Sequence, residues 1–256
     1  MKLEGEIALV TGGGNGIGQA ACLEFARQGA KVMVVDIDAA AAEKTAAAIR
    51  ELGGDAYAFQ ADVSQSSQVQ AYVEATLSAY GRIDSLFNNA GIEGKVSPLA
   101  EYDVDNWDRV IGINLKGTFL GLRYVLTVMI AQKKGTVVNT ASVAGTVGAP
   151  NMAAYSASKH AIIGLTRTAA GEVGKLGVRV NAICPGPINT RMIHSLEQMI
   201  NPAEPSAVAK SNMARNPMGR YGEPEEVARI VAFLASDESD YVNGAAWLID
   251  GGRTAI

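Results

Sequence analysis

The 256-residue chain is poor in cysteine (two), histidine (two) and aromatic side chains (6%). Each scarcity closes off a class of function. Cys22 and Cys184 lie inside apolar stretches without ligand-like spacing, so they read as buried free thiols. His160 and His194 have no second ligand at metal spacing, and no metal is expected. Cys184 precedes Pro185 and has no basic neighbour in sequence, which argues against a thiol nucleophile. Positive charge is not in excess: 22 Lys and Arg against 26 Asp and Glu give a net charge of −4. Neither nucleic acid nor an anionic membrane is therefore expected as the main partner. Apolar runs are short of the ~20 residues that a membrane span requires. The start, "MKLEGEIALVTGGG", has early acids and no signal-peptide pattern. The expected address is the cytoplasm.

What is present is ample apolar material, 48% of residues, arranged as short β-branched runs alternating with longer helical patterns. Strands are expected at 7–11, 31–36, 56–60, 85–89, 136–140, 178–184 and 246–250. Helices are expected at roughly 16–28, 39–52, 66–80, 105–132, 152–174 and 225–235. This alternation, with strands that are mostly continuous apolar runs, implies an α/β fold, a doubly wound parallel sheet covered on both faces. No linker or repeat divides the chain, so one domain spanning 1–256 is expected. Residues 188–222 break the alternation with four methionines and three prolines. A connection of this length reads as a lid over a site or as a disordered loop, and its scattered apolar residues favour the lid.

"TGGGNGIG" (11–18) joins the first strand to the first helix. Gly12 permits a tight turn; Gly16 and Gly18 admit close approach of a pyrophosphate. Asn15 and Ile17 flank them at the helix N-terminus, whose N–H groups and dipole favour phosphate. A glycine cluster alone is weak evidence, but at a strand–helix junction it points to a dinucleotide. The second strand ends at Asp36, beside Ile37 and eighteen residues beyond Gly18, near the position of an acid that binds the adenosine ribose. Such a carboxylate accepts the ribose hydroxyls and repels a 2′-phosphate. No Lys or Arg occurs at 11–18 or 36–43 to welcome that phosphate, so NAD(H) is expected over NADP(H). Asp62 and Val63, past the third strand, are candidates for the adenine. "NNAG" (88–91) closes the fourth strand at the same end of the sheet.

Tyr155 and Lys159 in "YSASK" stand one helical turn apart on one face. A phenol titrates near 10, and a neighbouring ammonium lowers that value. On these five letters alone, a proton-transfer pair and two ordinary surface residues both remain open.

Taken in order, "TGGGNGIG", Asp36, Asp62–Val63, "NNAG", Asn114, Ser142, "YSASK" and Pro185–Gly186 resemble the short-chain dehydrogenase/reductase family over nearly the whole chain. The resemblance implies a seven-stranded parallel sheet, a nicotinamide cofactor and a catalytic set of Asn114, Ser142, Tyr155 and Lys159. Tyr155 would exchange a proton with the substrate oxygen. Ser142 would hydrogen-bond that oxygen, and Lys159 would lower the phenol pKa and hold the nicotinamide ribose. Asn114, an awkward residue inside a helix between Gly112 and Gly117, would sit on a helical irregularity and hold a water leading from Lys159. Matched positions add Asn89, Ala90, Gly91, Pro185, Gly186, Ile188 and Thr190 as cofactor contacts. Side chains expected near substrate are Ser142, Ala144, Met152, Tyr155 and Met192, with Glu93, Val143, Asn151 and Met199 as further candidates. They suggest a neutral, mostly apolar alcohol or ketone. The stretches at 87–95, 137–145 and 220–223 resemble family members that act on substituted cyclohexanones. The family also implies homotetramers. Two other functions stay open: 3-oxoacyl-[acyl-carrier-protein] reduction, which Asp36 counts against, and a non-catalytic dinucleotide-binding module.

Overall fold

The computed structural model describes residues 2–255. Seven strands form one parallel sheet: β1 (Ile7–Thr11), β2 (Lys31–Asp36), β3 (Ala56–Gln60), β4 (Ser85–Asn88), β5 (Gly135–Thr140), β6 (Val178–Pro185) and β7 (Ala246–Ile249). Their order across the sheet is β3-β2-β1-β4-β5-β6-β7. The direction of winding reverses between β1 and β4, which opens a crevice at the carboxyl ends of those two strands.

The strands alternate between two cores. Ala8, Val10, Val32, Val34, Phe87 and Val138 face one side. There they meet α1 (Gly16–Arg27), α2 (Ala39–Glu51) and α9 (Pro224–Ala235). Leu9, Met33, Val35, Leu86 and Val137 face the other, against α3 (Ser66–Tyr80), α5 (Gly117–Gln132) and α6 (Ala153–Val173). A period of two with both faces buried accounts for the continuous apolar strands. Tyr72, deep in the second core, has no hydrogen-bond partner for its hydroxyl among the described residues, and burial pushes that phenol well above its usual range.

Two regions carry detail beyond the sequence pattern, and the first is the helical irregularity expected at Asn114. The helix expected over 105–132 is α4 (Val104–Val110), a π-helical segment Ile111–Lys116, and α5. The wide turn falls on "IGINLK", where Gly112 and Asn114 weaken α-helical geometry. By length and composition the continuous helix Val104–Gln132 resembles a membrane span. Its apolar side chains Leu120, Leu122, Val125 and Met129 are instead part of the second core. Residues 188–222 hold two further helices, α7 (Arg191–Ile200) and α8 (Pro205–Ala214), which pack on one another. The two ends of this excursion are stapled together. Gly222 N–H donates to the Pro187 carbonyl (3.1 Å), and Asn189 N–H donates to the Gly222 carbonyl (2.8 Å).

Candidate active site

The glycine loop and the start of α1 lie at the mouth of the crevice. Gly16 adopts φ +55°, and a Cβ on Gly18 would collide with the Gly12 carbonyl oxygen. The α1 N-terminus is bare: Asn15 makes no side-chain cap, and no acid stands in the first turn. Among the described residues nothing accepts from the N–H groups of Gly16, Ile17 or Gly18. Asp36 reaches across from β2. Its Oδ2 accepts the Gly14 N–H (2.9 Å) and its Oδ1 the Asp38 N–H (3.0 Å). Both oxygens are thereby fixed while keeping further lone pairs for a diol. A glycine cradle that admits no side chain, free N–H donors and a steadied carboxylate fit a dinucleotide.

A polar chain crosses the sheet from this loop to the lysine. The Thr11 hydroxyl accepts the N–H of Asn89 (3.0 Å) and of Ala90 (3.2 Å). The Asn89 amide donates to the Thr11 carbonyl (3.2 Å), and its Oδ1 accepts from the Thr140 hydroxyl (3.1 Å). The Thr140 carbonyl accepts from the Lys159 amine at 2.7 Å. Thr11 and Thr140 escape a reading of the sequence, since strand-end threonines are unremarkable and a main-chain acceptor leaves no residue signature.

Tyr155 and Lys159 share one face of α6, with Nζ 5.5 Å from the phenol centroid. Ser142, after β5, is buried and caps a short turn by accepting the Ala144 N–H (3.1 Å). The phenol does not follow the expectation of a lowered pKa. Burial pushes Tyr155 up, the Ser142 hydroxyl pulls it back, and the Glu93 carboxylate pushes it up again. Lys159 is itself forced down to about 8 by burial, which limits the positive charge it offers the phenol. Cys184 lies within the charge of Lys159 and Arg167, unseen in sequence, yet burial lifts the thiol to about 11.

Asn114 sits inside the π-helical segment, fully buried. Its Oδ1 accepts the Ile92 N–H (2.8 Å), and its amide donates to the Ile92 carbonyl (2.9 Å) and to the Ser158 hydroxyl (3.2 Å). Both amide hydrogens are therefore taken by protein atoms, and the residue clamps the loop after β4 to α6. Gly91 passes between them: a Cβ there would lie 3.2 Å from Asn114 Oδ1 and 3.6 Å from Lys159 Nζ.

Other expected positions divide. Pro185 ends β6; Gly186 donates to the Ile249 carbonyl (2.9 Å), and Ile188 is buried in the first core. Thr190 leans its methyl group toward Gly16, 3.2 Å from where a Cβ would stand. Val63 is buried against Gly117, Asp62 accepts the Ser64 N–H, and Ile37 is exposed. Ala144 is buried, and Met152 bridges to Ser97 just before α6. Asn151, between them, takes a positive φ of 64°. Val143 opens the short turn after Ser142. Met192 is half-buried on α7, and Met199 is exposed.

A family model described as "Enoyl-(Acyl carrier protein) reductase" matches residues 12–254. Levodione reductase from Leifsonia aquatica is 46% identical over 97% of this chain and 94% of its own. The chain belongs to the short-chain dehydrogenase/reductase family. Cyclohexanol dehydrogenase from Acinetobacter sp. (strain SE19) is 39% identical over 99% of this chain and 97% of its own. The crystal structure of levodione reductase superposes with a TM-score of 0.97 (45% identity, 99% of each chain). That of NAD+-bound xylitol dehydrogenase superposes at 0.94 (39% identity, 98% of this chain, 100% of the other). As a short-chain dehydrogenase/reductase the chain is an oxidoreductase with a nicotinamide-dinucleotide fold.

Proposed function

We propose that this protein is an NAD-dependent oxidoreductase interconverting a secondary alcohol and a ketone, with a cyclic substrate favoured. The observation that carries the reading is the convergence of Ser142, Tyr155 and Lys159 beside the glycine cradle at the carboxyl ends of β1, β4 and β5. Gly12, Asn15, Gly16, Ile17, Gly18 and Asp36 would hold the adenosine diphosphate. Lys159, Asn89, Ala90, Gly91, Gly186, Ile188 and Thr190 would hold the nicotinamide riboside. Bound there, the nicotinamide supplies the hydride acceptor or donor.

The chain's own groups handle the proton. In reduction the neutral phenol of Tyr155 donates it to the ketone oxygen, while the Ser142 hydroxyl holds that oxygen. In oxidation the phenolate takes it back. Lys159, protonated below about pH 8, provides nearby positive charge. Asn114 fixes the loop that brings Gly91 against the amine. Residues 188–222 act as a lid, with Met192 and Met199 adapting to an apolar substrate. The names of two relatives, cyclohexanol dehydrogenase and xylitol dehydrogenase, support an alcohol, and the first supports a ring. Asp36 and the NAD+-bound neighbour support NAD(H). The same acid and the net charge of −4 weigh against an acyl-carrier-protein substrate. A homotetramer is proposed from the family.

Initial rates with NAD+ and NADP+ across ring, linear and sugar alcohols test this reading. NAD+-dependent oxidation of cyclohexanol-type alcohols is the expected result, and a strong NADP+ bias would refute the coenzyme assignment. Tyr155→Phe should lower kcat by roughly 10²- to 10⁴-fold with NADH affinity kept. Tight NADH binding without turnover on any alcohol or ketone would instead mark a non-catalytic dinucleotide-binding module.

A further inference from the structure

Helix α7 has an unusual arrangement: its buried residue is a glutamate, while Met199 and Ile200 of its apolar side are exposed. Glu197 is 5% exposed. Its Oε1 accepts from the Tyr221 hydroxyl at 2.6 Å, and its Oε2 lies 3.0 Å from His194 Nδ1. The other ring nitrogen, Nε2, lies 3.0 Å from Asn189 Oδ1. The Asn189 amide is oriented without ambiguity, because its Nδ2 donates to the Glu223 carboxylate (3.2 and 3.3 Å) and a carboxylate only accepts.

A neutral imidazole has one N–H. Here both ring nitrogens face oxygens, one an amide acceptor and the other a carboxylate. The contacts are all satisfied when His194 and Glu197 together hold one proton more than a neutral imidazole and a carboxylate. That is an imidazolium–carboxylate pair or a neutral imidazole beside a carboxylic acid.

We propose that Glu197 and His194 are positioning residues for the substrate site, tying α7 to the stapled base of the 188–222 excursion only while they share that extra proton. The proposal rests on the lid reading given above. The tie is complete at low pH, and loss of the proton as pH rises removes one of the two His194 bonds. Around His194, Glu197 and Arg191 belong to its own helix. Tyr221 comes from the far end of the excursion and Glu223 from the residue just before α9, and Tyr221 stays protonated with its phenol pushed up to about 12 by burial and by Glu197. From the C-terminal segment Arg253 acts on Tyr221 by charge, and α8 contributes the uncharged Asn212 amide, 3.4 Å from the Tyr221 hydroxyl.

Amide hydrogen exchange of the full-length protein at pH 6.0 and 8.5, expressed as protection factors, tests this together with KM for the alcohol. Protection across 191–200 should fall roughly tenfold between the two pH values, the scale of one charge-assisted hydrogen bond. KM should rise in parallel with kcat little changed. His194→Gln and Glu197→Gln, two independent variants, should each flatten the pH dependence of protection. Uniform protection in the parent protein, or pH dependence persisting in both variants, would overturn the proposal. A protection change with unaltered KM would leave the proton-controlled tie standing and overturn the lid reading with the positioning role built on it.

Discussion

Helices α1 and α9 lie side by side in the same core, yet their N-termini are finished in opposite ways. The α9 terminus seals itself: Glu223 and Glu226 form a reciprocal capping box, Pro224 begins the helix, and Arg220 pairs with Glu226 at 2.7 Å. The α1 terminus has no cap, no acid and a glycine where a side chain would strike the loop. Both helices begin with a partial positive charge on the free N–H groups of their first turns. One spends it on its own carboxylates, and the other leaves it exposed at the crevice. The contrast teaches that a missing cap, at a place where caps are easily supplied, is itself a functional signal.

Four measurements would break or sharpen this contrast. Ile17→Glu puts a carboxylate into the first turn of α1; NADH affinity should fall roughly 100-fold or more through like-charge repulsion with pyrophosphate, a loss separable from the lower thermal stability that follows when the Ile17 side chain is withdrawn from the first core. Unchanged affinity in calorimetry would mean that the bare terminus is not the phosphate site. Asp36→Asn should shift the NAD+/NADP+ preference toward NADP+ by roughly tenfold, the worth of hydrogen bonds to a charged group. Equal preference before and after would separate Asp36 from the ribose. Glu223→Ala should cost about 1 kcal/mol in urea unfolding, as a lost cap does, with NADH affinity unaltered.

The smallest effect concerns acid. The Arg220 guanidinium and the Glu223 N–H hold Glu226 at about 2, below its ordinary value of 4.5. A carboxylate lowered on folding adds stability above its unfolded pKa and loses it as pH falls through the folded one. The self-sealed terminus should therefore weaken between about pH 4.5 and 2, and Glu226→Gln should remove that part of the acid sensitivity. A variant with the same acid profile as the parent would show that solvent screens the pair completely.

Much of this molecule is legible in its residues. Strands at 7–11, 31–36 and 56–60 and the helix at 66–80 agree with the structure to the residue: β1 and the centre of β2 are buried apolar runs, while β3 is a half-exposed edge strand, and glycine or polar residues bound each of them. The two helices of 188–222 are not legible, since Pro202 and Pro205 read as breakers. Pro205 in fact opens α8, where its missing N–H costs nothing. At the site, the glycine loop and Asp36 follow from spacing, while Asn114, Ser142 and the pairing of Tyr155 with Lys159 came through family resemblance. The raised phenol and the lowered amine follow from burial, which five letters of sequence do not encode. The Thr140 carbonyl that anchors the amine is hidden for a simpler reason: every residue has one.

The two main-chain bonds that join Pro187 and Asn189 to Gly222 give the excursion a common root. A segment rooted at one point can be exchanged wholesale without touching strand register or the coenzyme cradle. Grafting the corresponding segment of a relative between residues 187 and 222 offers a route to new substrate ranges on an unchanged chassis.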